Sequence, residues 1–253
     1  NLWAECNTGY TTYKGRVNSE AGYYIANNPG WPVYNPVWAI VPPDGNTLYN
    51  QAISYNKGSC VLHQLRYLLG DSVFFGVMSA YGSDTNFRYK NAITEDFIAI
   101  VNSVTGEDYQ WFFDEWIYAP NHPVYSNLYE IDDLGNGTWT VTLQVEQTQT
   151  STVFFRMPVE VGISFSDGSD TLVTVWNDSN PQSFVFTFDK SPVNLTFDPD
   201  QEIVLKEAVT VVSLNEGGPE PVFELRQNEP NPFTGTTALT YSVGQPSQVR
   251  IQV

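Results

Sequence analysis

The sequence predicts an α+β chain, helical first and stranded after, and three observations carry this. Apolar residues recur at helical spacing in the first 123 positions, as in Val61, Leu62, Leu65, Leu68 and Leu69. From Val124 the period changes to two: Trp139, Val141, Leu143 and Val145 alternate with Thr140, Thr142 and Gln144, the pattern of a half-buried strand. Hydrophobic residues make up 42% and aromatics 15% of the 253 residues, ample for packed cores and against wholesale disorder. That length suits one large domain or two ordinary ones.

Residues 1–28 read as one helix, with Trp3, Tyr10, Tyr13, Val17, Tyr24 and Ile25 in a partial 3.6 period. Pro29-Gly30-Trp31-Pro32 ends it, since proline cannot continue a helix. Residues 29–52 form an aromatic- and proline-rich connection (Trp31, Tyr34, Trp38, Pro42, Pro43, Tyr49), of the kind that runs over a surface and lines clefts. Further helices are predicted over Tyr55–Leu69, over Ser72–Tyr81 with Asp71 as N-cap, and over Thr94–Val104. Glu95 and Asp96 face the dipole of that last helix and Gly106 stops it. A helix from about Asp108 to Tyr118 covers those before it with Trp111, Phe112, Trp116 and Ile117, and Ala119–Pro123 closes the helical part.

Strands are predicted at 139–145, Val153–Met157 running into Val159–Phe165, Thr171–Trp176, Ser183–Phe188, Val193–Phe197 and Ile203–Lys206. Gly135-Asn136-Gly137 and Asp167-Gly168 are turns between them. Short strands at this spacing imply an antiparallel β-sandwich. The boundaries expected are therefore a helical part at 1–123, a sandwich at 124–207, a linker at 208–222 and a small β domain from 223 to 253.

The formal charge is −17, from 11 basic and 28 acidic residues, which would repel phosphate backbones and excludes nucleic acid as a partner. No apolar run reaches the length of a membrane span, so no transmembrane segment is expected. Asn1-Leu2-Trp3-Ala4-Glu5 has neither the basic nor the apolar region of a signal peptide; the expectation is that the chain starts inside a fold and any such leader lies upstream. Cys6 and Cys60 are too few for a disulfide framework; they form either a bridge or two buried thiols, the second favoured by the apolar side on which Cys60 falls.

Tyr55 is the candidate catalytic residue. A neutral phenol donates one strong hydrogen bond without adding charge, which suits an oxygen gaining charge in a transition state. An ordinary capping aromatic satisfies the same spacing. Lys57 reads as a helix-start lysine in a salt bridge, His63 as a packed or half-exposed helix residue, and His122 as surface loop. Two histidines and no HExxH spacing give no zinc site of their own. Glu95-Asp96 and Asp114-Glu115 read as a helix-start pair and a solvated face; Asp167–Asp170 and Asp198-Pro199-Asp200 read as turns rather than calcium loops.

Tyr55-Asn56-Lys57-Gly58-Ser59, Val61-Leu62-His63-Gln64-Leu65-Arg66 and Leu69-Gly70-Asp71 resemble the "Y-x-K-G-(A/S)-x-V-L-x-x-L-R-x-x-x-G-D" segment of the aminopeptidase N-type (gluzincin) zinc metallopeptidases. Thr94–Phe97, Val104–Asp108, Trp111-Phe112-Phe113 and Trp116-Ile117-Tyr118 continue the likeness in order. The resemblance implies the C-terminal helical part of a thermolysin-like catalytic domain followed by the β domain that family often carries. It puts oxyanion stabilisation on Tyr55. It also implies a Zn2+ whose ligands lie upstream of this chain, because Leu2-Trp3-Ala4-Glu5…Gly9-Tyr10…Tyr13 looks like the helix after the third ligand. The alternative alignment, with Glu5 as that ligand, has its neighbours Cys6-Asn7-Thr8 and its short spacing to Tyr55 against it.

Leu225-Arg226-Gln227-Asn228-Glu229-Pro230-Asn231-Pro232-Phe233 resembles the opening of the C-terminal sorting domains of the Por (type nine) secretion system, cut short at Val253. The two resemblances together imply an exported or surface-attached bacterial metallopeptidase acting on peptides or proteins, with the secretion machinery as partner. Two alternatives stand beside it. One is a non-catalytic secreted or surface-anchored binding protein on a peptidase-like scaffold. The other is a carbohydrate or adhesion module in the strands, with Trp139 and Trp176 as sugar-binding aromatics.

Overall fold

The computed structural model describes residues 1–213 except Thr152, and the backbone of the pair Glu224–Leu225 and Tyr241–Ser242. The chain divides into two compact units, Asn1–Val212 and Ser213–Val253. In the second, β8 (Glu224–Leu225) and β9 (Tyr241–Ser242) pair antiparallel. The remainder of the expected sorting region, 223–253, lies outside the described residues.

The first unit opens with two helices where one is expected. α1 (Leu2–Thr8) and α2 (Tyr10–Asn27) are divided at Gly9, whose φ of 88° is a left-handed conformation that glycine reaches without strain. α2 buries Tyr13, Val17, Ala21 and Tyr24, a stripe at spacings of four and three. The connection is partly helical, with a 3-10 turn at Pro36–Ala39 and a short α3 (Gly45–Leu48) capped by the Asp44 carboxylate, which accepts from the Asn46 and Thr47 amides.

The next helix starts earlier than its apolar period indicates. A π-helical turn, Gln51–Lys57, runs into α4 (Gly58–Leu69). α5 (Asp71–Ser83) follows at Gly70, and Asp71 is its first residue rather than its cap, its carboxylate being turned onto Arg66. α6 (Thr94–Thr105) stops at Gly106 in the left-handed conformation. α7 (Gln110–Phe113) passes into a second π-helical turn, Asp114–Tyr118.

The strands form two sheets. One has the order β5 (Gln182–Phe188), β2 (Trp139–Val145), β1 (Val124–Asp133), β7 (Glu207–Val212); the other has the order β4 (Asp170–Asn177), β3 (Met157–Phe165), β6 (Pro192–Phe197). Every pair is antiparallel except β1 with β7, which runs parallel, Val124 opposite Glu207 and Leu128 opposite Val211. The expected all-antiparallel arrangement is corrected by that pair. Two strand positions also differ. Residues 153–156 are not strand, and β7 lies in what the sequence marks as the start of a linker, 208–222, while 203–206 is an irregular segment with Ile203 and Leu205 wholly buried. The reason is Asp198, which accepts from the Glu202 and Ile203 amides and from the Lys206 ammonium and so folds that segment into a loop.

Alternate residues point inward, Val141, Leu143 and Val145 from β2 and Val159, Val161 and Ile163 from β3. Rings from the two sheets meet: Tyr125 lies 4.9 Å from Phe197 and Phe165 lies 5.1 Å from Phe188, centroid to centroid. The helices join the same core. Trp116 packs on Phe155 at 4.8 Å, and the Gln64 side chain on α4 accepts from the Leu205 amide at 3.0 Å. Among the described residues no helix is long and apolar enough to cross a membrane.

Candidate active site around Tyr55

The turn that bears Tyr55 is built by its neighbours. Asn50 accepts from the Ile53 amide and caps it, and the Ser54 hydroxyl donates to the Leu48 carbonyl. Ala52 and Ile53 on one side of Tyr55, and Asn56 and Lys57 on the other, are buried. Tyr55 between them is 52% exposed. A π-turn widens the helix and is rare; it recurs at functional sites because it pushes one or two side chains out of helical register. Here Gln51, Ser54 and Tyr55 are exposed.

Behind the turn, Gln51 donates to the Asn56 side-chain carbonyl at 2.8 Å, and Asn56 reaches the Glu20 carbonyl of α2 at 3.4 Å. Lys57 is fully buried, which overturns its reading as a helix-start ion pair. Its ammonium donates to the Ala119 carbonyl at 3.2 Å and the Asn121 carbonyl at 3.0 Å, and it sits 5.7 Å from the Tyr24 ring centroid. Among the described residues no carboxylate lies within ion-pair distance of it. Burial without a counter-ion lowers its pKa to about 7.

His122, expected on the surface, is buried beside this lysine. Its Nδ1 faces the Tyr24 hydroxyl at 3.3 Å and its Nε2 faces Glu207 at 3.1 Å, so the ring donates to the carboxylate and accepts from the phenol. Strand β7, which brings Glu207, covers this histidine; local sequence carries no sign of so distant a cover. Desolvation pulls the pKa of His122 down against the opposing Glu207 contact.

His63 is buried as expected of a packed helix residue. The Tyr13 hydroxyl lies 2.9 Å from its Nδ1 and the Lys14 ammonium 3.0 Å from its Nε2, with Glu202 also at Nε2. Desolvation lowers its pKa, and an imidazole so enclosed between an ammonium and a phenol is a structural link rather than a free base. Glu202, despite its own burial, is held down to about 2 by His63 and Lys14. Ser59 and Leu62 of α4, with Tyr13, Asn1 and Trp3, line a cavity of about 270 Å³.

Cys60 is buried and Cys6 exposed, both free, so neither the bridge nor a pair of buried thiols forms. Glu5 grips the Arg66 guanidinium through both oxygens. Among the described residues no group of three or more His, Cys, Asp or Glu could hold a metal ion. The described residues therefore do not fit a zinc centre by themselves.

Asp167 accepts from the Ser169 amide and hydroxyl, and Glu95 and Asp96 lie in the first turn of α6. Glu115, expected on a solvated face, is buried and accepts from the Arg156 amide and guanidinium; burial outweighs those contacts and raises its pKa to about 6. Trp139 is half-buried. Trp176 is half exposed, its ring at 6.3 Å from Trp111, whose own ring carries the Arg156 guanidinium at 4.4 Å.

Residues 36–116 match the peptidase family M1 domain. Aminopeptidase N of Lactococcus lactis is 36% identical over 85 residues, covering 34% of this chain and 10% of that protein. Aminopeptidase M1 of Arabidopsis thaliana is 37% identical over 75 residues, 30% of this chain and 8% of its own length. Aminopeptidase 2 of Candida albicans is 29% identical over 181 residues, 66% of this chain and 18% of that protein. A crystal structure of Legionella pneumophila aminopeptidase A in complex with aspartic acid aligns with a TM-score of 0.48 at 14% identity, over 66% of this chain and 19% of the other. The chain thus spans between 8% and 18% of the length of these three curated relatives. The matched stretch, which holds the Tyr55 turn and α4, is thus similar to the peptidase family M1 domain and to aminopeptidases.

Proposed function

We propose that this chain is part of an exported, zinc-dependent peptidase, and that Tyr55 stabilises the oxyanion formed when a peptide carbonyl is attacked. The supporting observation is the display of Tyr55: a half-exposed phenol on a π-turn whose Ala52, Ile53, Asn56 and Lys57 are buried, inside the stretch that matches the peptidase family M1 domain. A neutral phenol gives its hydrogen to a carbonyl oxygen more strongly as that oxygen becomes negative, so the contact lowers the barrier rather than merely binding substrate. The zinc would be held by residues outside this sequence. Peptides or proteins are the proposed substrates, in line with the aminopeptidases it resembles. The two sheets are read as a β-sandwich domain after the helices, and the segment from 223 as the start of a secretion sorting domain that addresses the protein outside the cell or to its surface.

The test is Tyr55→Phe in the complete protein, with bound metal measured in parallel. By oxyanion-hole precedent kcat falls by about a hundredfold or more while metal content is unchanged. Turnover equal to wild type refutes the role of Tyr55; absence of metal and of aminoacyl p-nitroanilide cleavage in the wild-type protein refutes the enzyme.

A further inference from the structure

We infer that Lys57 is the positioning residue of Tyr55, locking the π-turn to the segment that leaves the second π-turn through its bonds to the Ala119 and Asn121 carbonyls. This rests on the reading of Tyr55 as the oxyanion donor.

Taking an ammonium wholly out of water with no carboxylate partner costs several kcal/mol, and an apolar side chain of similar volume avoids that cost. Lys57 therefore contributes poorly as a stabilising residue and well as a specific tie. Ala119 follows the π-turn Asp114–Tyr118, and Asn121 has a left-handed φ of 67° with its side chain accepting from Asn28 at 3.1 Å. The segment is thus anchored independently of Lys57: by Asn28, by His122 on Tyr24, and by the Glu207 amide on the Pro123 carbonyl. A fixed anchor on one side and a three-donor ammonium on the other set the rotation of residues 51–57 about their own axis.

Tyr55 precedes Lys57 by two residues, and its carbonyl accepts from the Gly58 amide immediately after the tie. Loosening the tie moves the phenol while leaving it exposed and chemically intact. Misplacement of a reacting group by about 1 Å can cost on the order of a hundredfold in rate.

The experiment is a double-mutant cycle in the complete protein, assayed with an L-aminoacyl p-nitroanilide that the wild type cleaves. Lys57→Met lowers kcat by about tenfold or more with KM changed less than about threefold, the split expected of an interaction felt in the transition state. In a Tyr55→Phe background the same substitution changes kcat by less than about twofold, because there is no phenolic hydrogen left to aim. An equal loss in both backgrounds, or no loss beside intact Tyr55, overturns the inference. Should Lys57→Met not fold, Lys57→Leu, which likewise has no donor, replaces it with the same two criteria. If Tyr55→Phe itself has no effect, the reading of Tyr55 has failed and the inference falls with it, an outcome distinct from additivity beside an active Tyr55.

Discussion

Lys57 and Arg66 are two cations on one helical run, both shielded from solvent, and the protein treats them in opposite ways. Arg66, 5% exposed, is surrounded by carboxylate: Glu5 takes both terminal nitrogens and Asp71 takes Nε and one terminal nitrogen, with the Tyr13 and Phe75 rings stacked within 5.1 Å. Its charge is reinforced and its pKa raised, chiefly by Asp71 and Glu5. Lys57 meets two carbonyl dipoles and the Tyr24 ring with no carboxylate among the described residues, and burial draws its pKa down to about 7. The guanidinium fastens α1 to α4 as a permanent ion cluster. The ammonium holds a turn in place and can give up its proton without leaving a bare anion behind. Ion pairing is what separates a structural cation from one kept for geometry.

Breaking each site should expose that difference. Arg66→Met leaves Glu5 and Asp71 facing one another without a cation and destabilises by about 3 kcal/mol, the lower end for a buried pair because Asp71 is exposed to water. Lys57→Met removes a desolvated charge and strands two carbonyls, a net loss of about 1 kcal/mol. Urea unfolding of both variants measures this, and a Lys57→Met loss equal to that of Arg66→Met would erase the contrast.

The pH dependence sharpens it. Between about 7 and 10.5 the unfolded chain carries a proton on Lys57 that the folded one lacks, so stability gains from rising pH in that window. The Lys57→Met variant lacks this contribution, whereas Arg66→Met keeps it. Identical pH slopes for wild type and Lys57→Met above neutrality would show that the ammonium stays charged when folded.

The smallest effect is at Glu115, whose raised pKa has the opposite sign. Its protonated form is favoured in the folded state, so its contribution is full below about 4.5 and lost as pH rises through about 6. Glu115→Gln flattens that acid-side slope while leaving the Lys57 window untouched, as thermal unfolding across pH 4 to 7 would record.

The sequence discloses most of the helices and strands because their apolar residues keep one period for several turns. It singles out Tyr55 as a candidate chiefly through motif likeness, and nothing local to Tyr55 says that its turn is π rather than α. Asn56 and Lys57 of that turn find partners on other elements, at Glu20, Ala119 and Asn121. His122 shows the same limit. Flanking prolines mark a loop, and loops are usually surface, but parallel pairing of β7 with β1 carries Glu207 over it from a long way down the chain. β7 was hidden for a related reason: 203–206 is the more apolar stretch, yet Asp198 diverts it into a buried loop and hands the pairing to the residues after it. Gly9 and Cys6 could be placed only once α1 had a direction of its own.

The shared interior of helices and sheets has a mechanical consequence. Trp116 on Phe155, Gln64 on Leu205, Lys14 on Glu202 and His122 on Glu207 stitch residues 1–123 to β7 and to the segments that join the strands. No greased seam is left at Pro123 for a hinge. A ligand that tugged on the strands would drag the Tyr55 turn with it, and heat should melt both halves in a single step.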